Sequence, residues 1–128
     1  MYLLTVTGSF SSAHALRDYG GPCERLHGHN WRVEATVSAG ELDDRGLAVD
    51  FRVLRDHLGE ICDRLDHRLL NELEPFDKLN PTSENLARYL AGELASKLRG
   101  ADPPVRVREV RVWESDGASA AWINGDSE

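Results

Sequence analysis

An α+β fold, with a four-stranded antiparallel sheet and both helices on one of its faces in the order ββααββ, is the class this chain predicts. Three observations lead there. Residues 2–14, 29–38, 105–114 and 118–124 are strand-like, with apolar and polar residues alternating most clearly in the second. Two central segments instead step their apolar residues by three and four, the period of an amphipathic helix. No repeat, linker or low-complexity run divides the 128 residues, so one domain spanning 1–128 is expected.

The first strand, residues 2–14, ends at His14. In the second, Trp31, Val33, Ala35 and Val37 alternate with Arg32, Glu34, Thr36 and Ser38, and His27 and His29 continue the apolar phase at its entrance. The polar stretch from Glu41 to Gly46 is a turn. Asp50 then caps a helix whose stripe is Phe51, Leu54, Leu58, Ile61 and Leu65. A loop with Asp66, His67 and Asn71 leads to Asn80-Pro81-Thr82-Ser83-Glu84-Asn85, which has the proline, hydroxyl and acid of a helix start. Leu86, Leu90, Leu94 and Leu98 form the second stripe, and Gly100 ends it. In the third strand the apolar phase slips between Val107 and Val110, which predicts a bulge. A sheet of this kind has two free edges, and edge-to-edge assembly into a closed barrel would cover them.

A formal charge of −7 and a pI near 5.2 exclude a general nucleic-acid or anionic-membrane binder, which needs a basic footprint. They leave room for a small anionic substrate, because a metal ion and a few arginines decide the charge of a site locally. No apolar run approaches membrane-spanning length, and the opening residues have no basic, then apolar, leader pattern. With two cysteines, one of them beside the histidines, a reducing cytoplasm is expected rather than a disulfide framework.

Three of the five histidines, His14, His27 and His29, fall within sixteen residues, next to Cys23. Side chains two apart on a strand point the same way, so His27 and His29 project together across Gly28, and a histidine from a neighbouring strand completes a facial set. Three neutral imidazoles suit Zn2+ and leave its fourth position open. Gly20, Gly21 and Pro22 place Cys23 in a loop, where a thiol near a cation ionises readily, although a cysteine is also a small buried hydrophobe in many cores. His67 after Asp66 reads either as a proton relay or as a histidine favoured by a helix C-terminus. His57, on the first helix, has no motif partner and is expected to be partly exposed.

Six pieces occur in order: Phe10 to His14, Cys23-Glu-Arg-Leu-His-Gly-His29, Gly46-Leu-Ala-Val-Asp-Phe51, Leu65-Asp-His67 with Leu70-Asn71, Pro81-Thr-Ser-Glu-Asn85, and Glu114 after a valine-rich strand. In them the chain resembles, along nearly its whole length, the 6-pyruvoyl- and 6-carboxy-tetrahydropterin synthase family of the tunnelling fold. Three residues separate Cys23 from His27-Gly28-His29, the spacing of the carboxy enzymes, where the pyruvoyl enzymes typically have five.

The resemblance implies a zinc-dependent lyase that converts 7,8-dihydroneopterin triphosphate into 6-carboxy-5,6,7,8-tetrahydropterin, acetaldehyde and triphosphate, an early step toward the deazapurine precursors of queuosine. The rivals are a 6-pyruvoyl-tetrahydropterin synthase and a non-catalytic zinc- or pterin-binding protein. It further implies zinc on His14, His27 and His29, and Cys23 as the base, in a triad with Asp66 and His67. Glu114 would accept hydrogen bonds from the pterin edge, with Thr82, Ser83 and Glu84 lining its pocket. Trimers or hexamers with sites at subunit interfaces are also implied. Arg17 and Arg25 are positional candidates for the triphosphate. Trp113 stands where many relatives carry lysine, which bears on the rim of the pocket.

Overall fold

The computed structural model describes residues 1–18, 20–21 and 25–125. The sheet runs β1 (Tyr2–His14), β2 (His27–Ala39), β3 (Arg106–Ser115) and β4 (Ala118–Ile123), in that spatial order and antiparallel throughout. Two helices, α1 (Phe51–Leu65) and α2 (Ser83–Leu98), fill the connection between β2 and β3. The first packs on β1, the second on β3 and β4.

Each helix starts where its capping chemistry places it. Asp50 accepts from the Arg52 N–H at 2.8 Å and Thr82 from the Asn85 N–H at 3.1 Å, each satisfying one otherwise orphaned donor of a first turn. Gly100 follows the second helix with φ of +82°, the left-handed conformation that closes a helix at little cost only in glycine. None of the helices among the described residues is long and apolar enough to cross a membrane.

The core is the alternating face foreseen in the sequence. Val6, Phe10, Trp31, Val33, Ala35, Val37, Val110 and Val112 are buried against Leu54, Leu58, Ile61 and Leu65 of α1 and Leu86, Leu90 and Leu94 of α2. At Gly8 the sheet and α1 come closest: a Cβ there would sit 3.2 Å from Leu58 Cδ2 and 3.3 Å from Cys62 Sγ. The predicted slip in β3 is a bulge at Arg108. Thr36 pairs with Glu109 and Val37 with Val107, so Arg108 is the extra residue and both valines reach the core.

Some boundaries differ from the sequence expectation. β2 starts two residues earlier than the apolar alternation suggests, because its ladder with β1 continues to the His14–His27 pair. β3 is shifted one residue onward, β4 stops at Ile123, and a 3-10 turn, Leu70–Glu72, occupies the loop after α1.

The segment after α1 covers part of the outer edge of β1. His67 N–H donates to the Ser11 carbonyl at 2.6 Å, Ala13 N–H to the Arg68 carbonyl at 3.1 Å, and Ala13 bridges Leu69 in parallel. Toward its N-terminus β1 is a sheet edge, as is β4 on the far side.

Candidate metal centre

The β1–β2 register sets His14 opposite His27 and Ser12 opposite His29. His14, His27 and His29 therefore share the core-facing side with Trp31. The indole floors the cluster, with ring centroids 4.9 Å from His14 and 5.1 Å from His29. Its Nε1–H donates to the Ser12 carbonyl, and the Ser12 hydroxyl donates to the Leu65 carbonyl, tying the floor to the end of α1.

Two ring orientations are fixed from behind. His14 Nδ1 lies 2.7 Å from the Pro81 carbonyl and His27 Nδ1 2.6 Å from the Arg25 carbonyl. A carbonyl only accepts, so both Nδ1 atoms carry the proton and both Nε2 atoms present a lone pair. Those two Nε2 atoms stand 3.1 Å apart. Two lone pairs at that distance repel, and a cation between them turns the repulsion into coordination. Burial holds both His14 and His29 below the ordinary histidine range, which favours the neutral, ligating form. The His29 Nε2 is buried and has no hydrogen-bond partner among the described residues.

Glu114 completes the cluster. Its Oε1 is 3.5 Å from His14 Nε2 and 3.4 Å from His29 Nε2, and one ligand atom from each of the four residues lies within 4.8 Å of the others. Trp113 pairs with Ser119 and Ser115 with Ala118, so Glu114 is the extra residue of a second bulge, the device by which strands re-aim a side chain near a site. Three imidazoles and a carboxylate, buried behind and open in front, fit a divalent metal such as zinc. The sequence reading assigned Glu114 only to the pterin. The phase it shares with buried Val110 and Val112 was the signal that it lies on the histidine side of the sheet.

Asp66 and His67 form a separate unit. The Asp66 carboxylate accepts from the Ser11 N–H at 2.7 Å and from His67 Nδ1 at 2.8 Å. Those bonds, the Ser11 amide foremost, hold its pKa below the usual carboxylate range. His67 has φ of +55°, a position after a helix that usually falls to glycine, and its side chain is 83% exposed. With Nδ1 turned to Asp66, Nε2 is the ring nitrogen left on the outer side of the pair. Cys23, the expected thiol of this triad, lies outside the described residues.

Thr82, directly after the Pro81 whose carbonyl touches His14, serves as the α2 cap, and Ser83 and Glu84 open the helix. The first turn of α2 thus begins beside the cluster. His57 is partly exposed, as expected, and lies 3.7 Å from Glu60, its neighbour on α1.

Two positional expectations change. The Arg17 guanidinium is committed to the carbonyls of Asn71, Phe76 and Leu79, so it braces a loop and is not free to grip phosphate. Trp113 turns to the opposite face of the sheet, where its Nε1–H donates to Glu34 at 2.5 Å and Arg32 lies 4.7 Å above the ring. Sequence reasoning missed Asn80 and the carbonyl of Pro81 as supports of the site. Backbone acceptors leave no mark in residue identity.

Residues 3–124 match the family model described as 6-pyruvoyl tetrahydropterin synthase. The chain is 34% identical over 99 residues to 6-carboxy-5,6,7,8-tetrahydropterin synthase of Synechocystis, covering 73% of this chain and 75% of that one. It is 32% identical over 116 residues to dihydroneopterin monophosphate aldolase of Pyrococcus furiosus, covering 89% and 92%. The solved structure of Caenorhabditis elegans 6-pyruvoyl tetrahydropterin synthase superposes with a TM-score of 0.84 at 25% identity, over 97% of this chain and 96% of that one. The fold, the histidine-lined centre on its paired strands and the match across nearly all of its length together make this chain a member of the 6-pyruvoyl tetrahydropterin synthase family.

Proposed function

We propose that this family member is a zinc-dependent lyase that converts 7,8-dihydroneopterin triphosphate into 6-carboxy-5,6,7,8-tetrahydropterin, acetaldehyde and triphosphate, supplying deazapurine biosynthesis toward queuosine in the cytoplasm. The observation that carries the reading is the convergence of the His14, His27 and His29 ligand atoms with Glu114 within 4.8 Å. The three-residue spacing from Cys23 to the His-Gly-His motif and the name of the Synechocystis relative favour the carboxy product.

His14, His27 and His29 would hold the zinc. When bound, zinc supplies Lewis acidity, lowering the pKa of a substrate hydroxyl and stabilising developing enolate charge. Cys23 would remove the side-chain carbon proton. His67, oriented by Asp66 through Nδ1, would exchange protons at its Nε2. Glu114 would accept from the amino group and ring nitrogen of the pterin, a two-point contact suited to a guanidine-like edge. Thr82, Ser83 and Glu84, at the start of α2, would line the pterin pocket. The exposure of His67 and the open edges of β1 and β4 support a site completed by other copies in a trimer or hexamer.

A second reading has its own support. The Pyrococcus furiosus relative is named an aldolase of dihydroneopterin monophosphate and is matched over nine-tenths of its length. The same metal site and base would then cleave a carbon–carbon bond by retro-aldol chemistry. Anaerobic incubation of zinc-loaded protein with each phosphate ester, followed by mass spectrometry, separates the readings. Carboxy-tetrahydropterin with acetaldehyde is the expected result. Pyruvoyl-tetrahydropterin, or a shortened pterin from the monophosphate, moves the chain to a sister activity. Unchanged substrates leave a binding role.

A further inference from the structure

His14 is the last residue of β1, and the chain beyond it is held by side chains instead of a strand. Asn80 grips Arg17 at two points, its Oδ1 accepting from the Arg17 N–H at 2.8 Å and its Nδ2 donating to the Arg17 carbonyl at 3.0 Å. Asn71 grips Ala15 in the same manner, at 2.9 and 2.8 Å. The two amides sit on alternate residues, where a neighbouring strand would offer its own N–H and C=O groups. The Asn80 carbonyl in turn accepts from the Thr82 N–H and from Asn85 Nδ2, both at 2.9 Å. Pro81 is therefore tied on both sides, and its carbonyl is the acceptor for His14 Nδ1.

We propose that Asn80 is a positioning residue for the metal centre. By fixing the Pro81 carbonyl relative to the end of β1, it holds His14 as the Nδ1–H tautomer with Nε2 aimed into the cluster. The inference rests on the metal reading given above. A neutral imidazole can carry its proton on either nitrogen, and only the Nδ1–H form ligates through Nε2. Groups that hydrogen-bond the far nitrogen of a metal-bound histidine set its tautomer and ring orientation, and their loss typically costs roughly 10–100-fold in metal affinity. Here the acceptor is a backbone carbonyl that mutation cannot delete, so Asn80, which anchors it, is the side chain through which the effect is reached.

The test uses the full chain and two readouts that a loss of stability alone does not move. Long-range proton–nitrogen correlation spectra of the metal-free protein report the His14 tautomer. Titration with Co2+ alone, followed by its visible absorption, reports affinity. Wild type should show the Nδ1–H tautomer. Asn80→Ala should lose it and bind Co2+ roughly 10–100-fold more weakly. Asn80→Asp keeps the acceptor for the Arg17 N–H but replaces the donor with a charged carboxylate oxygen; it should show a smaller loss than the alanine variant, and it stands in if that variant does not fold. Asp43→Ala removes the carboxylate that accepts from the Arg45 and Leu47 N–H groups in the turn between β2 and α1, and should lower the melting temperature while leaving both readouts unchanged. Folded Asn80 variants with the wild-type tautomer and Co2+ affinity would overturn the inference and leave the metal reading standing. A wild-type chain that binds no Co2+ would overturn the metal reading, and this inference with it.

Discussion

His14 and His27 face each other across the β1–β2 ladder with their Nε2 atoms 3.1 Å apart and both Nδ1 atoms turned outward to backbone carbonyls. This arrangement costs free energy in the absence of a cation and gains from one. Added zinc should therefore stabilise the folded chain by mass action, by about 2.7 kcal/mol at a free concentration one hundred times Kd. A chelator should reverse the gain. Thermal melts with zinc, with chelator and with zinc restored check this, and His27→Ala should abolish the difference.

The metal-free protein should weaken on mild acidification. Burial lowers the folded pKa of His14 and His29 from 6.5, so between the folded and unfolded values the unfolded chain binds more protons. Their contribution is fully present above 6.5 and is lost as pH falls from there through the lowered folded values. Asp66 works lower on the scale: its folded pKa lies below 3.8, so its contribution is present above 3.8 and is lost as pH falls through the folded value. Urea midpoints measured with chelator present should fall between pH 7.5 and 5.5, and His14→Phe should flatten that slope. A midpoint constant across this range would contradict it.

The two cysteines should differ in reactivity. Cys62 is 2% exposed on α1, and burial raises its thiol pKa to about 12, so it carries almost no thiolate near neutral pH. Iodoacetamide on the native chain should therefore modify Cys23 first and reach Cys62 only after unfolding, as peptide mapping can show. Cys23→Ala should retain bound zinc and lose most turnover. Full activity in that variant would remove the thiol from its proposed role as base.

Gly8 is where α1 rests on β1, and the added carbon of Gly8→Ala would meet Leu58 and Cys62 at 3.2–3.3 Å. Repacking so tight a contact costs roughly 1–3 kcal/mol. Chemical denaturation should show that loss, and zinc affinity should stay at the wild-type value. A stabilised alanine variant would mean that the helix has room to move.

The strand face that carries the site was legible in the sequence because period-2 alternation continues from Trp31 through His29 to His27 and fixes the side on which they project. The bulge at Arg108 was legible for the same reason, since a slipped phase has few other causes. Contacts between distant segments were not. Arg17 looks like any surface cation until the loop at 71–79 folds over it, and the role of Asn80 depends on which carbonyl of the chain returns to His14. Glu114 was placed on the right strand and phase, but its distance to the histidines follows from a bulge with Ser119 and Ala118 that residue identity does not encode.

His67 should separate catalysis from stability. Its side chain is 83% exposed and is paired with the adjacent Asp66, so truncating it removes little packing. His67→Ala should leave the folding free energy within about 0.5 kcal/mol of wild type, as exposed positions generally do. Turnover should fall by roughly 10²–10⁴, the range for a lost proton-transfer group. Asp66 differs because its carboxylate also holds the Ser11 amide, which joins α1 to β1. Asp66→Ala should therefore lose both stability and turnover, whereas Asp66→Asn keeps an acceptor for Ser11 and should lose mainly turnover. Parallel measurements of urea midpoint and kcat on the three variants check the division. A His67→Ala enzyme with wild-type kcat would leave Asp66 as a structural anchor and reduce the relay to Cys23 alone.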